Sequence, residues 1–140
     1  KHVCAMRKAR SNDKYLPNAR FPDALVVSSN LKEVLQSARD VLVVVPSHAF
    51  KANLEAIKPC LNQQHRLIWA TKGLEPGTGR ILQEVALDIL GHDIPFAVVS
   101  GPTFAKEMVA GLPTAITLSS TDAELCESFS QKLHCSKGFR

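Results

Sequence analysis

Three short segments of this 140-residue chain carry residues that can bind or activate a small polar ligand, and each follows an apolar run. In Trp69-Ala70-Thr71-Lys72-Gly73-Leu74-Glu75 a lysine comes directly after such a run. If the run is a buried strand, the Lys72 ammonium sits at the mouth of a crevice. There it can donate to a phosphate, hydroxyl or carbonyl oxygen. Gly73 permits a tight turn or the close approach of a ligand. In Ser100-Gly101-Pro102-Thr103-Phe104-Ala105-Lys106-Glu107 the Gly-Pro pair suits the start of a helix. Its first N–H groups, with the Thr103 hydroxyl, favour an anion or polar ligand. In Pro46-Ser47-His48-Ala49-Phe50, Phe50 either offers an aromatic face to a flat cofactor or fills the core. His48 has no carboxylate partner assignable from spacing and reads as a polar loop residue rather than a base. Lys72 and Thr103 have plainer readings too, as a solvated loop lysine and an ordinary helix cap. Gly77-Thr78-Gly79-Arg80 imitates a phosphate loop but lacks the Walker spacing and its Lys-Ser/Thr ending.

The elements that must position these segments alternate along the chain. Residues 3–10 read as a helix or the tail of one, and 11–24 as a loop broken by Asn12, Asp13, Pro17, Asn18 and Pro22. Leu25-Val26-Val27 reads as a short strand. Asn30 with Glu33 resembles a capping box, so a helix is expected to run to about Arg39. The apolar run Val41–Val45 suits a strand buried on both faces of a parallel sheet. Phe50, Leu54 and Ile57 form one helical stripe in residues 48–57. A strand is expected at 67–70 and a loop at 73–77. A helix follows over 79–90, capped by Thr78, stopped by Gly91, with Ile81, Leu82, Val85, Ile89 and Leu90 on its apolar face. A strand at 96–99, a helix at 103–110 closed by Gly111 and a strand at 114–118 come next. Ser120 or Thr121 then caps a helix to about His134. Alternation with short connections argues for right-handed βαβ units around a mostly parallel sheet. Such sheets bind ligands beyond the carboxyl ends of their strands, where the three segments fall.

Composition excludes several classes. Hydrophobic residues are 45% and charged residues 21%, so a core can form and the disordered class is excluded. No apolar run approaches the roughly 18 residues of a membrane span, and no leader-like apolar segment opens the chain. The net charge is +4, and residues 1–20 hold six bases against the single acid Asp13, so all the excess lies there. Aromatics are only 6% and do not interleave with the bases, which argues against a nucleic-acid partner. Cys4, Cys60, Cys126 and Cys135 form no C-x-x-C pair, which speaks for reduced thiols in a cytoplasm over a disulfide scaffold or metal site.

A dinucleotide fold carries G-x-G-x-x-G after its first strand, and none is present. Either this is another kind of domain, or the chain starts after that unit. The three strand-end segments, in this order and spacing, resemble bacterial NAD(P)-dependent glycerol-3-phosphate dehydrogenase. Tyr15-Leu16-Pro17 and Gly111-Leu112-Pro113-Thr114-Ala115 fit as well. The resemblance spans essentially the whole chain. It implies that residues 1–140 are a partial N-terminal NAD(P)-binding domain, Rossmann-like and doubly wound, missing its first βαβ unit. A helical substrate domain bearing the family's acid/base lysine would follow Arg140, leaving no catalytic acid or base within this chain. By position it implies that Lys72 contacts substrate and cofactor, that Gly101 and Thr103 lie on the substrate side, and that Ala105, Phe50 and Tyr15 line the cofactor. The reaction implied is hydride exchange between NAD or NADP and the pair dihydroxyacetone phosphate and sn-glycerol 3-phosphate, supplying phospholipid synthesis in the cytoplasm, in a possible homo-oligomer. A basic stretch beside the adenosine ribose is then expected to favour a 2′-phosphate through Arg7, Lys8 and Arg10. Two alternatives remain at this point: a related dehydrogenase of another hydroxy acid or phosphorylated substrate, and a non-catalytic α/β binding module.

Overall fold

A computed structural model describes residues 1–134. Its elements are α1 (His2–Ala9), β1 (Ser11–Asn12), β2 (Leu16–Arg20), α2 (Leu31–Gln36), β3 (Asp40–Val43), α3 (Ser47–Ile57), β4 (Arg66–Trp69), α4 (Leu82–Leu90), β5 (Phe96–Ser100), α5 (Ala105–Val109), β6 (Thr117–Ser120) and α6 (Ala123–Leu133). A short 3₁₀ turn over Lys58–Cys60 follows α3. The main sheet has the order β3-β4-β5-β6. β3, β4 and β5 are parallel. β6 runs antiparallel to β5, so the last strand departs from the βαβ pattern.

β4 is the middle of the core. All four of its residues are buried. Leu67 and Trp69 pack with Phe50, Leu54 and Ile57 of α3 and with Leu82, Val85 and Ala86 of α4. Ile68 points the other way, toward Ala97, Leu125 and Phe129. The strand period of two thus feeds both faces, and helices lie on both sides of the sheet. This is a doubly wound, mostly parallel α/β architecture of Rossmann type, seen here in four strands.

Several local expectations are corrected. β3 is not buried on both faces: Val43 is in the core, whereas Leu42 and Val44 are exposed. β3 is an edge strand of the described sheet, and only the Val43 face meets α3. Leu25-Val26-Val27 is not a strand. The Arg7 guanidinium donates to the Val27 carbonyl at 2.9 and 3.1 Å. Arg10 donates to Leu25 at 2.7 Å and also to Pro22. Charged donors from α1 and its C-cap thus take carbonyls that a sheet partner would otherwise use. The same contacts commit Arg7 and Arg10 to the protein's own backbone, which leaves Lys8 as the only one of the three without such a tie in the described contacts. Residues 11–20 hold a small antiparallel pair, β1 with β2, not a loop. Asn18 at φ 65 supplies its irregular backbone.

The helix caps differ as well. Asn30 caps α2 as expected, its side chain accepting from the Glu33 N–H, but α2 ends at Gln36. Thr78 donates to Glu75 Oε2 rather than capping α4, and Ile81, expected on the apolar face, is exposed at the α4 N-cap. Asp122, not Ser120 or Thr121, caps α6, accepting from the Leu125 N–H at 2.8 Å. Gly91 follows α4 with φ +74, and Gly111 follows α5 with φ +72, as glycine after a helix permits. At Gly111 the closing bonds run from Leu112 N–H to Glu107 O and from Gly111 N–H to Met108 O, both 3.1 Å. That is the two-bond glycine stop of a helix end.

Candidate functional site

The carboxyl ends of β4 and β5 bring three of the expected residues together. Lys72 leaves β4 through buried Thr71, and Gly73 at φ +95 turns the chain away across Ser47 at the start of α3. The Lys72 ammonium donates to the Gly101 carbonyl at 2.6 Å and to Thr103 Oγ1 at 3.0 Å. Two of its three protons are thereby fixed, and the third is left for a ligand as far as the described contacts go. Thr103 accepts from Lys72, so its own O–H remains a donor. The arrangement is a pair of adjacent donors, one cationic, at the carboxyl ends of two parallel strands. It can hold an oxygen that is, or is becoming, negatively charged.

The local sequence explains the geometry. Gly101 bends the chain out of β5, and its carbonyl also accepts from the Thr103 N–H at 2.9 Å. That tight turn moves the start of α5 to Ala105, with Phe104 at the N-cap. Thr103 therefore does not take its plainer alternative, the ordinary helix cap. Its hydroxyl is turned to Lys72. Only glycine fits at 101, since a Cβ there would stand 2.7 Å from the Ala115 carbonyl and 3.2 Å from Ile116 Cα. Both neighbours are backbone and cannot swing aside. We expect Gly101→Ala to cost about 1–3 kcal/mol of stability, as overpacking does. Thermal denaturation checks this, and an unchanged Tm would show that the turn can relax.

Ala105 lies at the first turn of α5, exposed, two residues beyond Thr103. Phe50 and Tyr15 are not part of the cluster in the described structure. Phe50 is fully buried, its ring set against Trp69 with centroids 5.6 Å apart. It presents no face to a ligand here and takes the core alternative. Tyr15 is exposed in the connection between β1 and β2, edge-on to His2 at 5.7 Å with Lys14 Nζ 4.8 Å from its ring centre. The hairpin reaches the site region indirectly, because β2 packs on α5.

Two supports escaped the sequence reading. Thr71 Oγ1 accepts from the Val45 N–H at 3.4 Å where the ladder between β3 and β4 ends, linking the two strand ends beside Lys72. A threonine directly before a strand-end lysine was the available signal. At the opposite end of the sheet, Arg66 donates to Asp40 at 2.6 Å and to Ser128 Oγ at 2.7 Å. The Arg66 hydrogen bond is the main cause holding the Asp40 carboxyl below its usual range, helped by Lys132 against the opposing effect of burial. No spacing rule connects residues so distant. A separate apolar cavity between β6 and α6, lined by Ile116, Leu118 and Leu133 among others, touches none of the expected site residues.

The chain matches, over residues 1–126, the sequence family described as NAD-dependent glycerol-3-phosphate dehydrogenase N-terminus. It is 56% identical over 139 residues to a glycerol-3-phosphate dehydrogenase [NAD(P)+] of Edwardsiella ictaluri (strain 93-146), covering 99% of this chain and 41% of that protein. A protein of the same name from Actinobacillus pleuropneumoniae serotype 3 (strain JL03) is 56% identical over 138 residues, with coverage of 99% and 41%. The crystal structure of glycerol-3-phosphate dehydrogenase from Coxiella burnetii superposes with a TM-score of 0.92 at 40% identity, over 99% of this chain and 42% of that one. This chain thus spans about two fifths of the length of the curated relatives it matches.

Proposed function

Because the chain belongs to the family of NAD-dependent glycerol-3-phosphate dehydrogenase N-termini, we propose that it is the cofactor-side domain of an enzyme interconverting dihydroxyacetone phosphate and sn-glycerol 3-phosphate with NAD or NADP. The observation that carries this reading is the Lys72–Gly101–Thr103 cluster at the strand ends. Its donor set fits a substrate ketone oxygen and the nicotinamide end of a dinucleotide site. The G-x-G-x-x-G that would cradle the pyrophosphate is not among residues 1–140. The bound nicotinamide supplies the hydride. The chain's own residues orient the ketone and stabilise the charge that grows on its oxygen. Lys72 does so with a full positive charge, and the Thr103 hydroxyl adds a second donor. Ala105 borders the cluster on the cofactor side. The proton that completes the alcohol comes from an acid in the helical domain that follows this region in the proposed enzyme. Cys4, Cys60 and Cys126 are free thiols, which supports a reducing, cytoplasmic setting, and Cys135 lies outside the described residues. No helix among the described residues is long and apolar enough to cross a membrane.

The test is NAD(P)H oxidation by the full-length protein, comparing dihydroxyacetone phosphate with other ketones. We expect a clear preference for dihydroxyacetone phosphate in kcat/KM. Equal or better turnover of an unphosphorylated ketone overturns the substrate assignment. Residues 1–140 alone are expected to show no turnover, since neither the pyrophosphate cradle nor the acid is present. Measurable oxidation by that purified piece would contradict the proposed division of labour.

A further inference from the structure

Val43 pairs with Trp69 where β3 and β4 run side by side, so the next step of the ladder sets Val44 opposite Ala70. A regular parallel ladder makes two bonds at that step, from Ala70 N–H to the Val43 carbonyl and from Val45 N–H to the Ala70 carbonyl. The first is present at 3.0 Å. In place of the second, the Val45 N–H donates to Thr71 Oγ1 at 3.4 Å, a side chain standing in for the main-chain acceptor. Thr71 is buried, so its hydroxyl has little water to turn to, and its β-branched side chain is stiff. The Ala70 carbonyl is thereby released from β3, and the chain leaves the ladder one rung early. The next residue is Lys72, whose ammonium crosses to the end of β5 and meets the Gly101 carbonyl and Thr103 Oγ1.

We propose that Thr71 is the positioning residue for Lys72: its hydroxyl takes the last rung from the main chain and so sets where β4 releases the lysine toward β5. The inference rests on the proposed dehydrogenase reading and adds what fixes the root of the side chain whose tip Gly101 and Thr103 hold. A flexible four-carbon stem lets the tip bonds form from many backbone positions, so the tip alone does not place the ammonium. Thr71 is bonded to the backbone beneath the lysine and acts through it. Without the hydroxyl, the Val45 N–H turns to the Ala70 carbonyl, the ladder closes by one rung, and Lys72 is drawn toward β3, away from its two acceptors. Valine keeps the shape of threonine and lacks the hydroxyl, so Thr71→Val isolates that change, and Thr71→Ser restores the acceptor.

Competitive acetylation of the full-length protein with acetic anhydride, read peptide by peptide, tests this together with steady-state kinetics. Acylation needs an amine free of its acceptors, so the held Lys72 is expected to label slowly relative to the exposed Lys58 at the far end of α3. Thr71→Val is expected to speed labelling of Lys72 and leave Lys58 unchanged, and to lower kcat on dihydroxyacetone phosphate by roughly 10–100-fold, the scale of a small misplacement. Thr71→Ser is expected to retain slow labelling and most of kcat. An unchanged ratio of Lys72 to Lys58 labelling in Thr71→Val overturns the proposal. So does a fall in kcat without faster labelling, which assigns the loss to something other than Lys72. Hydrogen exchange on the unsubstituted protein decides the matter even if Thr71→Val does not fold: slow exchange of the Val45 amide is expected, and fast exchange means that the hydroxyl does not hold it and overturns the proposal. Labelling and exchange are independent of turnover, so a failed substrate assay and a failed positioning role remain distinguishable.

Discussion

Lys72→Ala is expected to lower kcat/KM for dihydroxyacetone phosphate in the proposed full-length enzyme by roughly 10²–10⁴-fold, the range for losing one positioned donor or acid–base group. The size follows from how the ammonium is held. Its bonds to Gly101 O at 2.6 Å and Thr103 Oγ1 at 3.0 Å fix the side chain before a ligand arrives. Little ordering is then left for the moment of reaction, and the remaining N–H is aimed by the other two. Truncation removes the charge and leaves the Thr103 hydroxyl as the lone donor. Because the negative charge on the ketone oxygen is greater in the transition state than in the bound substrate, the loss should appear in kcat as well as KM. Lys72→Arg is not a rescue, since a planar guanidinium cannot present one ammonium-like corner to both acceptors and a third ligand. Steady-state kinetics on purified variants decides the matter. Activity of Lys72→Ala within a factor of about two of the unsubstituted enzyme would remove Lys72 from the machinery.

The second large effect concerns stability. Asp40→Ala should cost about 3 kcal/mol, the lower end of the range for stripping one partner from a buried ion pair. The Arg66 side chain is only 7% exposed and Asp40 14%. Without the carboxylate, the guanidinium keeps Ser128 Oγ as its described partner and stays buried with its charge uncompensated. Lys132, the other cation on Asp40, is 58% exposed, so its own contribution is small. The linkage has a definite sign. The folded protein holds the Asp40 carboxyl below its ordinary value of 3.8, chiefly through the Arg66 hydrogen bond. The stability this provides is complete above that ordinary value and is lost as pH falls from there through the depressed folded value. Urea denaturation at pH 7 measures the cost, and a series below about pH 4 measures the linkage, the unfolded carboxyl titrating near there. The variant should lack the part of the acid loss that belongs to this residue. A cost under about 1 kcal/mol, typical of a surface pair, would mean that water reaches Arg66 and replaces the carboxylate.

Much of the scaffold was legible in the residues themselves. The stripe Phe50, Leu54, Ile57 lies on α3, and the run after Arg66 became β4, buried throughout. Asn30 caps α2 through Glu33, as that short pattern implied. Helix periodicity, caps and glycine stops act between residues at most a few positions apart, so a local reading reaches them. The chemical types in the strand-end segments were legible for the same reason: a lysine, a glycine and a threonine were placed by the ends of the runs that precede them.

The tertiary structure decided what depends on distant neighbours. Val41–Val45 and Leu67–Ala70 look alike as apolar runs, yet one lies at the edge of the described sheet and the other at its centre. Burial of a strand is set by what packs on it, which no run of five residues encodes. Phe50 satisfied two readings until its ring met Trp69, nineteen positions along the chain. The guanidiniums of Arg7 and Arg10 reach carbonyls 12 to 20 residues away, turning an expected strand into a pinned segment. Thr103 has the residue type of a helix cap, and the sequence alone allowed that role. It acts instead as an acceptor for Lys72 because the turn at Gly101 delays the helix by two residues and points the hydroxyl back across the sheet. The partners of Lys72 lie 29 and 31 positions away. Residue type determined that this ammonium could bind an oxygen, and the parallel pairing of β4 with β5 determined which groups aim it.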